Sequence, residues 1–266
     1  MTSKKIGIDI GGSLIKLAFE EKGSIRLKKY PASEVATVLQ WLKIIGINTI
    51  ALTGGRAGGI KEKFFPDAKI IHEFEGNHLG VNWLLRQKNL FGFEKYLLVN
   101  IGTGTSWYKV ENNHCKRILG SGIGGGTLMG LGSYLTKTDD FSSLVKLASF
   151  GDRKNVDMLV KDIYKIEDPK INGELTASNF ANLKEGAKKE DIANALLQMI
   201  GETLFLLTKQ AAKRESLQKI VYIGGAISEN PHLKMILTSF QDQMEGTPYF
   251  LENGEYCGAI AAYLSI

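Results

Sequence analysis

The hydrophobic pattern opens with short runs rather than helical stripes. Lys5 to Ile10, Leu14 to Phe19 and Ser24 to Tyr30 are strand-length segments rich in Ile, Leu and aromatic residues, separated by Gly11-Gly12 and Lys22-Gly23. Three consecutive strands joined by such tight turns imply an antiparallel meander. Val35, Val38, Leu39 and Leu42 then fall at helical spacing, with Ser33 placed as an N-cap. Asn48 to Leu52 reads as a further strand ending at Thr53-Gly54-Gly55, and Ala68 to Ile71 as another. From Glu75 to Arg86 the spacing of Leu79, Trp83 and Leu84 predicts a helix.

At Lys95 the pattern restarts. Tyr96 to Ile101, Thr105 to Val110 and His114 to Leu119 read as a second meander, with one tight turn at Asn112-Asn113. Helices dominate afterwards; the clearest runs from Lys189 to Lys213, where Ile192, Leu196, Met199, Ile200, Thr203, Leu206 and Leu207 make an apolar stripe. Lys219 to Ile223 is a strand, and helix, short strand and helix close the chain. The restart divides the chain into two lobes, residues 1–93 and 94–266. Ile8-Asp9-Ile10-Gly11-Gly12-Ser13 and Val99-Asn100-Ile101-Gly102-Thr103-Gly104-Thr105-Ser106 occupy equivalent turns of the two halves, a weak internal repeat. Chance likeness between two Gly-rich turns is the competing reading.

Composition then narrows the class. With 44% apolar and 23% charged side chains, the 266 residues make an ordinary globular chain, which excludes disorder and fibrous classes. The net charge of +5 is uneven: residues 1–93 carry +6 and residues 94–266 carry −1. A solvated basic surface accounts for this, and small anions would also be drawn to it. No aromatic run interleaves with the charges, which argues against nucleic acid. Cys115 and Cys257 give neither a disulfide framework nor zinc-like spacing. The run Ile6 to Ile10 is too short for a signal-peptide core, and no apolar run nears the ~20 residues of a membrane helix. The expectation is a cytoplasmic protein with no membrane contact.

Candidate chemistry lies in glycine turns at strand ends. The first, Asp9-Ile10-Gly11-Gly12-Ser13-Leu14-Ile15-Lys16, joins a carboxylate, two glycines, a hydroxyl and an amine. Glycines let backbone N–H groups converge on an anion, a carboxylate can hold Mg²⁺ through water, and a hydroxyl or amine can touch phosphate oxygens. Asn100 to Ser106 offers the hydroxyls of Thr103, Thr105 and Ser106, and Gly224-Gly225-Ala226 is a third turn. Together they would cradle a nucleotide between lobes; singly each is an ordinary hairpin turn, and none is a Walker A motif. Gly120 to Gly126 contains G-x-G-x-x-G with Asp139 and Asp140 downstream, the parts of a dinucleotide site, but it follows a meander rather than opening a βαβ unit. On an extended segment Glu73 and Glu75 would share a face, with His72 on the other. A carboxylate there suits proton removal from an alcohol attacking a phosphate. A surface pair is the competing reading, favoured for Glu75.

Taken in order, Asp9 to Lys16, Asn100 to Ser106, Arg117 ahead of Gly120 to Gly126, and Tyr222-Ile223-Gly224-Gly225 resemble the kinases of the actin, Hsp70 and sugar-kinase superfamily. More closely, the chain resembles the bacterial type II pantothenate kinases. Thr53-Gly54-Gly55, Glu73-Phe74-Glu75, Gly124 to Gly132, Gly151-Asp152-Arg153 and Glu252-Asn253-Gly254 extend the resemblance over nearly the whole chain. It implies an α/β fold of two ribonuclease-H-like lobes, as in actin-like ATPases, with ATP in the cleft between them. It also implies a homodimer and phosphorylation of pantothenate's primary hydroxyl, the first step of coenzyme A synthesis. By position it implies Mg²⁺ on Asp9 through water, and phosphates on Ile10, Gly11, Gly12, Ser13, Leu14, Ile15, Lys16 and Thr103. Gly125, Gly126, Thr127, Leu128, Met129, Phe141 and Gly225 would wall the nucleotide pocket, Glu73 would be the general base, and Arg117 would lie near the transferred phosphate. Ser13 stands where Thr is frequent and keeps the hydroxyl, whereas Phe141 and Gly225 lack a hydroxyl that relatives can have. A kinase of another small alcohol such as N-acetylglucosamine, an NAD-binding oxidoreductase and a non-enzymatic nucleotide sensor remain as alternatives.

Overall fold

Strands β1 (Lys5–Ile10), β2 (Leu14–Glu21) and β3 (Ser24–Pro31) form the expected meander. Helix α1 (Val35–Ile44), β4 (Thr49–Thr53), α2 (Ala57–Phe64) and β5 (Lys69–Ile70) complete a first sheet of order β3-β2-β1-β4-β5, in which β1 is parallel to β4. This computed structural model describes residues 5–112, 114–164, 172–243 and 246–266, apart from the side chains of residues 73–75 and 241. Helix α3 (Glu73–Gln87) leads into a second meander, β6 (Lys95–Ile101), β7 (Thr105–Glu111) and β8 (His114–Ser121). Asn113, half of the expected turn between β7 and β8, lies outside the described residues.

After α4 (Gly125–Thr136) and α5 (Phe141–Ser149) come short β9 (Met158–Leu159), α6 (Val160–Ile163) and β10 (Thr176–Ser178), then the long α7 (Lys189–Glu215). β11 (Lys219–Ile223), α8 (Gly225–Ser228), α9 (Pro231–Ser239), β12 (Thr247–Phe250) and α10 (Cys257–Leu264) finish the chain. The second sheet has the order β12-β11-β6-β7-β8, with β6 antiparallel to β7 and parallel to β11. Counted from its own first strand, that is the order of the first sheet, so the likeness between the two Gly-rich turns extends to the whole topology.

Strand alternation sorts the residues onto two faces. Ile6, Ile8, Ile10, Ile15 and Leu17 face outward under Val38, Leu39 and Leu42 of α1. Leu97, Val99, Ile101 and Trp107 pack with residues of α4, α5 and α7, and the buried Trp107 indole N–H donates to Thr208 Oγ1 at 2.8 Å. The inner faces receive α3 and α10. Tyr96 Oη donates to Asn82 Oδ1 at 3.3 Å, tying α3 to the second sheet. α10 crosses back onto the first: a Cβ at Gly7 would stand 2.1 Å from the backbone N of Tyr263, so only glycine admits the helix.

Several local expectations shift. Ser33 lies in a 3₁₀ turn (Ala32–Glu34) and caps nothing; α1 begins one residue later than that cap would place it, after Glu34. The segment Ala57–Phe64 is helical, although Gly58 and Gly59 weaken its signal. On α7 Leu206 is 56% exposed while Leu204 and Phe205 are buried, so the core-facing stripe passes beside Leu206. β8 is an antiparallel edge strand, so Gly120 to Gly126 opens no βαβ unit, and Asp140 caps α5 by accepting the Ser143 N–H at 2.7 Å. α3 begins at Glu73, so Glu73 and Glu75 sit on a helix about 200° apart rather than on one face of a strand. Among the described residues no helix is long and apolar enough to cross a membrane.

Candidate active site

Asp9 stands one residue from the end of β1 on the inner face, opposite Lys16 of β2 and Thr53 of β4. Lys16 Nζ lies 3.3 Å from Asp9 Oδ2, and both side chains are only 15% exposed. A carboxylate that far out of water needs such a partner. The same alternation turns Ile10 and Ile15 into the outer core, at 1% and 0% exposure, so their side chains do not reach the site and only their backbone borders it. Past the strand end the Gly11 N–H donates to Leu14 O at 3.0 Å, closing the first loop.

The second loop repeats this arrangement from the other lobe. Gly102 N–H donates to Gly104 O at 2.9 Å, and Asn100 takes the place that Asp9 has on β1. Gly54 (φ +94°) and Gly224 (φ +109°) end β4 and β11; a Cβ would meet Ile10 O at 2.6 Å in one and Ile101 O at 2.4 Å in the other. Both turns demand glycine through backbone angle and through space. The loops meet where Ser13 Oγ approaches Thr103 Oγ1 to 3.2 Å.

Behind Thr103 the start of α4 is stitched to the loop. Gly125 N–H donates to Gly102 O and Gly126 N–H to Thr103 O, both at 2.8 Å, so two of the free N–H groups of the helix hold the loop. The Thr127 hydroxyl accepts from Gly124 N–H at 3.3 Å and donates to Gly122 O at 2.9 Å, and Leu128 is a core residue. Neither lines the cleft, whereas Gly125, Gly126, Met129, Phe141 and Gly225 do.

The cleft between the lobes encloses about 620 Å³. Arg117 of β8 lines it, as do residues not singled out in the sequence: Lys29, Asn77, Glu229 and Glu255. Lys29 pairs with Glu229 across the lobes and lies 4.0 Å from Glu255. Since Lys29 is opposite Lys16 in the β2–β3 ladder, alternation could have placed it on the inner face. Glu229 and Glu255 lie in turns with no periodic signal. Among the described lining residues three carboxylates, Asp9, Glu229 and Glu255, face three cations, Lys16, Lys29 and Arg117. The basic surplus of the first half is therefore not concentrated in the cleft. The side chains of Glu73, Phe74 and Glu75 lie outside the described residues; Glu73 is the first residue of α3.

Asp9 suits a divalent cation. A Cβ on Gly54 would lie 2.7 Å from Asp9 Oδ1 and one on Gly258 3.1 Å from Oδ2, so these glycines keep the carboxylate uncrowded. One carboxylate completed by phosphate oxygens and waters is the usual Mg²⁺ donor set. Cys257, behind Asp9 and Lys16, has its thiol pKa pushed well up by burial, which leaves it inert as a nucleophile.

The Fumble family model matches residues 46–265. A type II pantothenate kinase of Oceanobacillus iheyensis is 43% identical over 265 residues, covering 98% of this chain and 99% of its own. One of Staphylococcus haemolyticus is 35% identical, covering 97% and 98%. Among solved structures, the activator of the 2-hydroxyisocaproyl-CoA dehydratase from Clostridium difficile with bound ADPNP matches with a TM-score of 0.66 at 18% identity, over 98% of this chain and 93% of that one. A ROK family glucokinase from Streptomyces griseus in complex with glucose and AMPPNP gives 0.59 at 14%, over 98% of both. Those two likenesses are of fold, the two-lobed fold of actin-like ATPases. Full-length identity to its relatives and the family match together establish that the chain belongs to the Fumble family, the type II pantothenate kinases.

Proposed function

We propose that the protein transfers the γ-phosphoryl group of ATP to the primary hydroxyl of pantothenate, giving 4'-phosphopantothenate and ADP, the first step of coenzyme A synthesis. The observation that carries this reading is the meeting of the two glycine loops at Ser13 and Thr103, one from each lobe, above the Asp9–Lys16 pair. Phosphoryl transfer asks a protein chiefly for positioning and charge stabilisation. The acceptor oxygen bonds to the γ-phosphorus, the bond to the bridging oxygen breaks, and ADP leaves with the electron pair. The hydroxyl proton passes to the carboxylate of Glu73, and Arg117 steadies the transferred group. The loops around Gly11 to Ser13 and Gly102 to Gly104 hold the phosphates, while Met129, Phe141 and Gly225 border the nucleotide. Asp9 would hold Mg²⁺ through water; when bound, the ion neutralises charge on the phosphate oxygens.

The same reading makes the protein a cytoplasmic homodimer. The free thiols of Cys115 and Cys257 suit a reducing compartment, and light scattering on the purified protein tests the dimer. Activity is tested by ADP release from MgATP with pantothenate or N-acetylglucosamine as acceptor. Turnover with pantothenate supports the assignment; turnover with the amino sugar alone overturns the substrate and leaves the kinase fold standing.

A further inference from the structure

β8 is irregular at one point, beside the cleft. Its ladder with β7 passes from Tyr108 opposite Arg117 to Trp107 opposite Leu119, so Ile118 is an extra residue, a β-bulge. On a regular strand Arg117 and Gly120, three positions apart, would point to opposite faces. The extra residue restores the parity. Arg117 lies opposite Tyr108 and Gly120 opposite Ser106, and these two residues of β7 share one side of the sheet. Tyr108 packs into the core with Val81, Leu84 and Leu85 of α3, so that side is the inner one, and Arg117 and Ser106 both line the cleft there.

On this face the head of Arg117 lies against Gly120. A Cβ on that glycine would fall on Nη2 of the guanidinium and stand 2.9 Å from its Cζ and 3.5 Å from its Nε. Gly120 is not one of the glycines with a left-handed φ, so what it supplies is space for the arginine rather than a special backbone angle. Arg117 is exposed, and arginine is a long, rotamer-rich side chain with a planar head. We propose that Gly120 is a positioning residue whose bare Cα is the seat that fixes the Arg117 guanidinium beside the transferred phosphoryl group. This rests on the kinase reading, in which Arg117 steadies that group. The bulge at Ile118 brings arginine and seat together, the re-aiming of a side chain that bulges perform next to active sites.

Gly120→Ala fills the seat. Carbon atoms rest at about 3.5–4.0 Å, so Cζ at 2.9 Å must retreat by roughly 0.6–1.1 Å. A misplacement of about 1 Å can cost about 10²-fold, and kcat should fall about 10- to 100-fold while the KM for ATP stays within about twofold. The melting temperature should not fall, because the group that must move is the exposed end of a flexible side chain. Gly120→Ser adds the same Cβ and serves as the second variant. The deciding measurement is a double-mutant cycle with Arg117→Ala: in that background alanine or glycine at position 120 should give the same residual rate within about twofold. An equal loss from Gly120→Ala in both backgrounds, or wild-type kcat in Gly120→Ala when Arg117→Ala is impaired, would overturn the seat and leave the kinase reading standing. Wild-type turnover in Arg117→Ala would remove the role that the kinase reading gives this arginine, and the seat with it. Should the wild-type enzyme consume ATP only with another alcohol, the pantothenate reading fails, and the same cycle run on that alcohol decides the role of Gly120.

Discussion

Replacing Gly126 by alanine puts one methyl group where the structure has no room. The new Cβ would stand 2.8 Å from Thr103 Cγ2 and 3.0 Å from Thr103 O. Carbon atoms rest at about 3.5–4.0 Å, so relief needs a shift of roughly 0.7–1.2 Å. Thr103 is the group that must give, because Gly126 is anchored in α4 and donates to the Thr103 carbonyl at 2.8 Å. Overpacking of this kind costs about 1–3 kcal/mol, which lowers the melting temperature of a chain this size by roughly 2–12 °C. Misplacing a positioning group by about 1 Å can cost about 10²-fold in rate. We therefore expect kcat/KM for ATP to fall about 10- to 100-fold in Gly126→Ala. Gly130→Ala on the same helix is the control. Gly130 is exposed and nothing lies within 4 Å of its would-be Cβ, so the helix should gain about 0.5–1 kcal/mol with unchanged kinetics. Steady-state kinetics with ATP varied, alongside thermal melts of both variants, give the answer. Wild-type ATP kinetics in Gly126→Ala would refute the view that Thr103 and the glycine turn act as one rigid cradle.

Asp9→Asn should lower kcat and raise the Mg²⁺ concentration needed for half-maximal rate; a metal titration superimposable on wild type would move the ion elsewhere. Glu73→Gln should cost about 10² to 10⁴ in turnover with little change in ATP affinity, and Glu75→Gln far less. The reverse pattern in that pair would shift the base by two residues. His232, half-buried beside Asn194, has its pKa lowered by burial, so the folded state favours the neutral ring. The stability this carries is complete above the ordinary histidine value near 6.5 and is lost as pH falls through the lower folded-state value. Melting temperature should therefore drop as pH falls below about 6.5, and His232→Gln should reduce that drop; an equal drop in the variant would exclude the residue.

Both meanders were legible because each needs only short apolar runs and tight Gly or Asn turns, signals that are local in sequence. The start of α3 was not. His72-Glu73-Phe74-Glu75 alternates like a strand, yet acidic residues also suit the positive N-terminal end of a helix dipole, and four residues cannot decide between the two. The resemblance includes Ile10 and Ile15 in the candidate site because the motif is contiguous, whereas the pleat sends alternate residues to opposite faces. Glu229, Glu255 and Asn77 reach the cleft from three separate parts of the chain, and only tertiary packing brings them together. The Ser13–Thr103 contact spans two lobes, and the sequence shows no more of it than a cradle of glycine turns.

The return of α10 to the first sheet makes synthesis order matter. β1 to β5 have left the ribosome once residue 70 has emerged, but the helix that closes their inner face begins at Cys257. At about 5–20 residues per second that helix follows roughly 10–40 s later. Throughout the interval Ala18 and Leu27, which end in the core shared with Ile260 and Tyr263, have no α10 to pack against. A chain broken off before residues 257–264 leaves that face of the sheet without the helix that covers it.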